Sequence, residues 1–287
     1  MIVVFGATGN IGPQLVHTLV SRGLRVRAVV RDLPRAQTLL PSGAELVEGD
    51  LERPESVKAA LEQAAQVFCG VGGPRGTPNL VEAECRLIDL AAAAGARQYV
   101  KVSGIDSRPD GPSKIQRIHG EIERHLSSSA LGHSILRPSF FLQNLLGMGA
   151  AIRQGALPLP TGHARCGLID ARDVADVAAE VLSDGKHLGQ TYTLTGPAAL
   201  SHSDVAAILS AQLAKPVSHV DVPPSAFYQA GVGMGLPAWF VDLLTEVFVE
   251  VFATGQAERV TDDVSRILGR AARSCERFVA DHEAAFA

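Results

Sequence analysis

Short apolar runs alternate with amphipathic stretches through the first half of the chain. Ile2-Val3-Val4-Phe5 is the first such run. It feeds the turn Gly6-Ala7-Thr8-Gly9-Asn10-Ile11-Gly12, and a helical face of Leu15, Val16, Leu19 and Val20 follows, with Gly23 as its C-cap. Residues 25–30 and 44–50 predict the second and third strands, and residues 54–65 a helix with Pro54 in its first turn. Residues 66–71 predict the fourth strand. A loop over 72–78, rich in glycine and proline, leads into a long helix that ends near Ala94-Gly95. Residues 98–103 predict the fifth strand, 113–128 a helix and 133–137 the sixth strand.

Regular alternation of strand and helix predicts right-handed crossovers and an α/β fold with a Rossmann-type, doubly wound parallel sheet. Beyond about residue 145 the alternation loosens. Residues 169–175 read as a helix start with acidic residues near its N-terminus, and Thr191–Leu194 as a short strand. Ser201 and Asp204 have capping-box spacing and open a helix through Leu213. Residues 217–222 read as a strand stopped by Pro223-Pro224, and the remainder as helical. The pattern divides the chain into a nucleotide-binding core over 1–145 and a smaller, mainly substrate-binding C-terminal lobe over 146–287 that returns in part to the core.

Composition narrows the function classes. The 287 residues are 46% hydrophobic, enough to bury a sizeable core. Lysine and arginine number 26 against 30 acidic residues, and the resulting charge of −4 offers no general electrostatic attraction to nucleic acid or an anionic membrane. Met1 leads directly into the first strand without a charged-then-apolar leader, which predicts a cytoplasmic protein. Cys69, Cys85, Cys166 and Cys275 lie far apart and read as isolated reduced thiols. There is no H-E-x-x-H, no paired-cysteine pattern and no G-x-S-x-G, so no metal is expected. The oligomeric state, monomer or dimer, stays open.

The glycine turn carries the first chemistry. An apolar strand that enters such a turn ahead of a helix N-terminus is a site for the pyrophosphate of a dinucleotide. A carboxylate commonly ends the second strand of NAD-binding folds. Here Arg31 stands at that place, with Arg35 nearby, and a guanidinium matches a 2′-phosphate in charge and geometry. The expected cofactor is therefore NADPH, while Asp32 keeps NADH possible. Asp50 and Leu51 follow the third strand, where an adenine edge would be met; Asp50 reads equally as the start of a turn.

Gly6 to Gly12, Arg31, Gly49-Asp50-Leu51, Leu136-Arg137-Pro138 with Asn144, residues 170–175 and Tyr192 to Pro197 together resemble the NmrA-like branch of the atypical short-chain dehydrogenase/reductases. The resemblance covers nearly the whole chain. It implies an NADPH-dependent quinone or dye reductase, a phenolic reductase, a carbonyl reductase of aromatic antibiotic biosynthesis, or a cofactor-sensing regulator. It also implies cofactor contacts from Val71 and Gly72 and from Pro138-Ser139-Phe140. Members of the wider superfamily use a tyrosine, a lysine four residues on and a serine. The serine position matches Ser103 and the lysine position His119, but the tyrosine position is Ile115, and none of Tyr99, Tyr192 and Tyr228 has lysine four residues on.

Three roles for Ser103 and His119 stand side by side: orienting the nicotinamide, supplying a proton, or lining the loop as ordinary polar residues. A histidine that titrates near neutrality is the better acid of the two. Loss of the tyrosine favours acceptors whose reduced form is weakly basic, namely quinones and ketones of polycyclic aromatics. Phe140, Phe141, Asn144 and Met148, with Phe227, Trp239 and Phe240, are candidates for the substrate wall; each aromatic reads equally as core. Cys69 is a buried filler or a neighbour of the cofactor, and the loop Gly72-Gly73-Pro74-Arg75-Gly76 a phosphate cover or a passive connection. The expected activity is an NADPH-dependent reductase of a small aromatic substrate; the alternative is a non-catalytic NADP(H) sensor that binds a partner protein.

Overall fold

The computed structural model describes residues 1–72 and 76–287. In chain order the strands are β1 (Ile2–Phe5), β2 (Val26–Val30), β3 (Glu45–Glu48), β4 (Gln66–Cys69), β5 (Gln98–Val102), β6 (Gly132–Pro138), β7 (Ala156–Leu159), β8 (Arg165–Cys166), β9 (Thr191–Leu194), β10 (Leu200–Ser201) and β11 (Ser218–Asp221). The helices of the first half are α1 (Gly12–Ser21), α2 (Leu33–Leu39), α3 (Pro54–Ala60), α4 (Leu80–Ala93) and α5 (Lys114–Ser128). They are followed by α6 (Gly149–Arg153), α7 (Ala171–Ser183), α8 (His202–Leu213), α9 (Pro224–Gly233), α10 (Ala238–Val247), α11 (Asp263–Leu268), α12 (Cys275–Asp281) and α13 (Glu283–Phe286).

Seven strands form one sheet in the order β3-β2-β1-β4-β5-β6-β9. β1 lies parallel to both neighbours, with Ile2 opposite Val26 on one side and Gln66 on the other. Covered on both faces, it is buried along its whole length, which is why its sequence is a continuous apolar run. β3 is one of the two edge strands, with β9 the other, and its terminal glutamates are exposed. The order reverses between β1 and β4, the switch point at which such sheets bind ligands beyond their carboxyl ends.

The chain forms two compact units. Unit 1 comprises residues 1–110, 116–137 and 174–192, and unit 2 comprises 111–115, 138–173 and 193–287. The chain passes from unit 1 into unit 2 at 110/111, 137/138 and 192/193, and α7 begins in unit 2 and ends in unit 1.

Three local differences from the sequence pattern have physical causes. α2 was not legible as a helix: Ala36 is its one buried residue, and its start is set by Asp32, whose side chain accepts a hydrogen bond from Arg35 N. The helix expected over 54–65 ends at Ala60, because Gln63 takes a left-handed φ of 61° as the chain turns toward β4. β7 contains Pro158 and pairs in parallel with β11 alone, so its proline sits in a two-stranded edge pair. The loop expected to cover phosphates or to act as a passive connection includes Gly73, Pro74 and Arg75, which lie outside the described residues.

Unit 2 has its own core, in which Phe248, Phe252, Phe278 and Phe286 are buried. His202 packs into it with its ring stacked on Phe252 and Nδ1 3.0 Å from Thr161 Oγ1. Burial, aided by His219, pushes the His202 pKa down to about 4. The native state therefore keeps the ring neutral while the unfolded chain protonates near pH ~6.5. Stability is expected to fall as pH drops from ~6.5 to ~4, by up to about 3 kcal/mol from this residue. Urea midpoints at about pH 7 and about pH 4.5 should differ less for His202→Gln than for the wild-type protein; an unchanged difference would remove His202 as the cause.

Candidate active site

Because β1 to β5 run in parallel, the segments that follow them gather at one edge of unit 1. The turn after β1 needs its glycines for different reasons. Gly6 has φ +82°, and a Cβ there would lie 2.5 Å from Gly70 O. A Cβ on Gly12 would collide with Gly6 O and lie 2.5 Å from Ala7 C and Cα, so this glycine lets α1 sit close against the turn. Gly9 is exposed, and a Cβ there would meet only Gly6 O, at 3.3 Å. Its small size leaves room above the turn. Ile11 occupies the N-cap of α1, no side chain caps that end, and the first turn holds no acidic residue. Backbone donors and the positive end of the dipole thus face outward without a counter-anion from the helix itself, an arrangement that fits a pyrophosphate.

The groups after β2 and β3 line the same edge. Arg31 is exposed directly after Val30. Asp32 Oδ1 accepts from Arg35 N at 3.0 Å, so its carboxylate is engaged in capping α2. Asp50 Oδ1 accepts from Glu52 N at 3.1 Å, the turn arrangement that the sequence had left open. The Leu51 side chain is buried in the unit 1 core and its carbonyl accepts from Arg86. Val71 is half-buried and Gly72 exposed, after β4.

Two buried polar clusters lie at and behind the end of β5. Ser103 Oγ donates to Glu123 Oε1 at 2.5 Å, and Glu123 is clamped by the Arg137 guanidinium through Nε at 3.0 Å and through Nη2. The Ser103 proton is thereby committed, and its oxygen remains an acceptor. His119, on α5, places Nδ1 3.3 Å from Lys101 Nζ. Lys101 is fully buried and pairs with Glu84 Oε2 at 2.9 Å, while Tyr99 Oη donates to Glu84 Oε1 at 3.3 Å. Desolvation, and then the Lys101 charge, hold the His119 pKa well below that of an ordinary histidine. This corrects the expectation that His119 titrates near neutrality: the ring is a neutral hydrogen-bonding group, not a reservoir of imidazolium.

Glu84, Lys101 and Glu123 were absent from the sequence-derived site. The signal for Lys101 was its strand period. Tyr99 and Lys101 alternate along β5 and share a face, with Ser103 two residues on, just past the strand end. Tyr99 is buried against Glu84, so it does not replace the missing acid. Cys69 is buried in the same region, and desolvation pushes its thiol pKa far up, which matches a filler rather than a nucleophile.

Unit 2 holds the remaining candidates. Pro138 ends β6. Ser139 N donates to Leu194 O at 2.9 Å, and Ser139 Oγ lies 3.3 Å from Cys166 Sγ. Phe140 packs on Phe248 and Phe252 at centroid distances of 5.5 and 5.4 Å, and Phe227 packs on Phe248 at 5.1 Å. Phe140 and Phe227 are therefore built into an aromatic cluster. Phe141 bridges Ile169 through the backbone, Met148 packs against the same core, and Phe240 pairs with Trp239 at 5.8 Å. Asn144 is half-buried, and its carboxamide makes no hydrogen bond to another described residue. Among the described residues no group of three His, Cys, Asp or Glu could hold a metal ion, and no helix is long and apolar enough to cross a membrane. All four cysteines are free.

Fold and nucleotide cradle together define a dinucleotide-binding protein of the Rossmann class. Residues 1–269 match the model of the NmrA-like family, and the chain belongs to that family. It is 37% identical over 287 residues to the NAD(P)H azoreductase of Xenophilus azovorans, covering 100% of this chain and 99% of the relative. It is 26% identical over 251 residues to quinone oxidoreductase 2 of Escherichia coli, covering 86% of each. The solved structure of Citrobacter sp. triphenylmethane reductase complexed with NADP(H) has the same fold, with a TM-score of 0.85 at 22% identity over 98% of this chain and 100% of that one.

Proposed function

We propose that the protein is an NAD(P)H-dependent reductase, with NADPH preferred, that reduces quinones, azo dyes or related conjugated aromatics, including ketones of polycyclic aromatic compounds. The full-length match to an NAD(P)H azoreductase carries the activity class, and the uncapped glycine cradle at the N-terminus of α1 supports the cofactor. Gly6, Ala7, Thr8, Gly9, Asn10, Ile11 and Gly12 hold the pyrophosphate, and Arg31 takes the 2′-phosphate. Asp32 Oδ1 caps α2, which leaves Oδ2 as the acceptor for a ribose hydroxyl when NADH binds. Asp50 and Leu51 border the adenine. Val71, Gly72, Pro138, Ser139 and Phe140 serve the nicotinamide half. Bound there, the nicotinamide supplies a hydride.

The chain's own residues orient and do not protonate. Ser103 presents an acceptor oxygen suited to the carboxamide of the cofactor, since its proton goes to Glu123. His119 offers a neutral N–H. Hydride addition to a quinone gives a hydroquinone monoanion that takes its proton from water, so no tyrosine is required. Asn144, whose amide has no described protein partner, faces the substrate with Phe141, Met148 and Phe240; Phe140 and Phe227 give the aromatic wall behind them.

The test is NADPH oxidation, followed by loss of the reduced-nicotinamide absorbance, with naphthoquinones, hydroxylated anthraquinones and azo dyes, and with NADH alongside. Turnover of at least one class is expected. Tight NADPH binding with no turnover of any acceptor would instead favour the sensor. Replacing Arg31 by alanine should raise the NADPH Kd about 10- to 100-fold and the NADH Kd by less than about threefold. Equal losses would defeat the phosphate assignment.

A further inference from the structure

The Lys101 ammonium has three protons and, fully buried, three acceptors around it: Glu84 Oε2 at 2.9 Å, Val102 O at 3.2 Å and His119 Nδ1 at 3.3 Å. An ammonium only donates. His119 Nδ1 therefore accepts, and the single proton of the neutral ring sits on Nε2. A second ring proton would set two cations 3.3 Å apart inside the protein. Glu84 holds the lysine in this place, and Tyr99 occupies its other oxygen. A buried ion pair adds little stability over an apolar pair of equal volume. Here it has a consequence that an apolar pair lacks, since it dictates the histidine tautomer.

We propose that Lys101, held by Glu84, is a positioning residue that fixes His119 as a neutral hydrogen-bond donor through Nε2. The proposal rests on the reading of His119 as part of the reductase site. Its partner is an oxygen acceptor, either a ribose hydroxyl of the nucleotide or the carbonyl of the substrate; a neutral imidazole polarises such an oxygen without surrendering its proton. The other titratable groups beside the pair are Tyr99, Cys69 and Cys85, each of which feels the Glu84 charge. Glu123, one turn further along α5, is committed to Ser103 and Arg137.

The experiment is nitrogen-resolved NMR of the histidine rings in the whole protein, with the His119 signal assigned by its loss in His119→Gln. In the wild-type protein Nδ1 should be unprotonated and Nε2 protonated, and the ring should stay neutral well below the pH at which an ordinary histidine titrates. The double variant Lys101→Met with Glu84→Gln removes both charges together. In it the proton should distribute over both nitrogens, and the ring should titrate higher than in the wild-type protein, with burial still holding it below an ordinary histidine. The pH profile of NADPH oxidation should gain that ionisation, and kcat/KM should fall about tenfold. A rise in the NADPH Kd assigns the ribose as partner; a fall in kcat at unchanged Kd assigns the substrate oxygen. A wild-type spectrum with Nδ1–H, or with imidazolium at neutral pH, overturns the proposal, as does a double variant that keeps the wild-type tautomer and pH profile. The wild-type spectrum decides by itself should the variant not fold. It needs no turnover, so a failed reductase assignment shows separately as absent NADPH oxidation.

Discussion

Replacing Gly12 by alanine is expected to destabilise the protein by about 2–3 kcal/mol and to raise the NADPH Kd at least 100-fold, roughly 2.7 kcal/mol of binding. The added methyl would run into Gly6 O, Ala7 C and Ala7 Cα, all backbone atoms that no rotamer change can move aside. The helix must then back away from the turn, which displaces the N-terminal donors that the pyrophosphate needs. Gly9→Ala separates the two effects. Its methyl meets only Gly6 O, at 3.3 Å, and the backbone there has no positive φ. The unliganded melting temperature should therefore change little in Gly9→Ala, while NADPH binding weakens because the methyl stands where the phosphates approach. Equal loss of stability in both variants would contradict the division of roles between the two glycines.

Asp173→Ala should cost about 3 kcal/mol of folding stability in urea titrations. Asp173 is fully buried in the first turn of α7 and pairs with Arg270 at 2.8 Å and with the Arg273 guanidinium, and it accepts from Arg273 N at 2.7 Å. One residue turn away, the buried Asp170 pairs with Arg172, which reaches on to Asp281. The two carboxylates thus tie the 270–281 segment of unit 2 to the start of α7. Arg270 and Arg273 keep 39% and 26% of their side-chain surface exposed. They regain water when the partner is lost, which places the cost at the lower end of the about 3–5 kcal/mol seen for broken buried pairs. A loss below about 1 kcal/mol would show that the pair is no stronger than a surface bridge.

The central strands of the sheet were legible because they are buried on both faces. β1 announces itself as an apolar run, and the turn between β1 and α1 as glycines at positions where a side chain has no room. Backbone geometry of that kind leaves a mark in sequence, since few residues satisfy it. α2 left almost none, because one buried alanine makes no periodic face, and β7 was masked by Pro158. The polar clusters were harder still. Lys101, Glu84 and Glu123 read as ordinary charged residues until the fold pairs Lys101 with Glu84 and Glu123 with Arg137, and His119 looked like a titrating group until the lysine beside it was seen. Phe140, after the sixth strand, and Phe227, in the C-terminal lobe, read from the sequence as wall or core alike, and only packing shows that both are built on Phe248.

Calorimetric titration with NADPH and NADH tests the nucleotide cradle most directly. One NADPH per chain should bind with a Kd below about 10 μM, NADH more weakly, and Gly12→Ala should abolish the NADPH signal under the same conditions. No heat from either nucleotide at about millimolar concentration, where even a weak site of about −4 kcal/mol would fill, would contradict it.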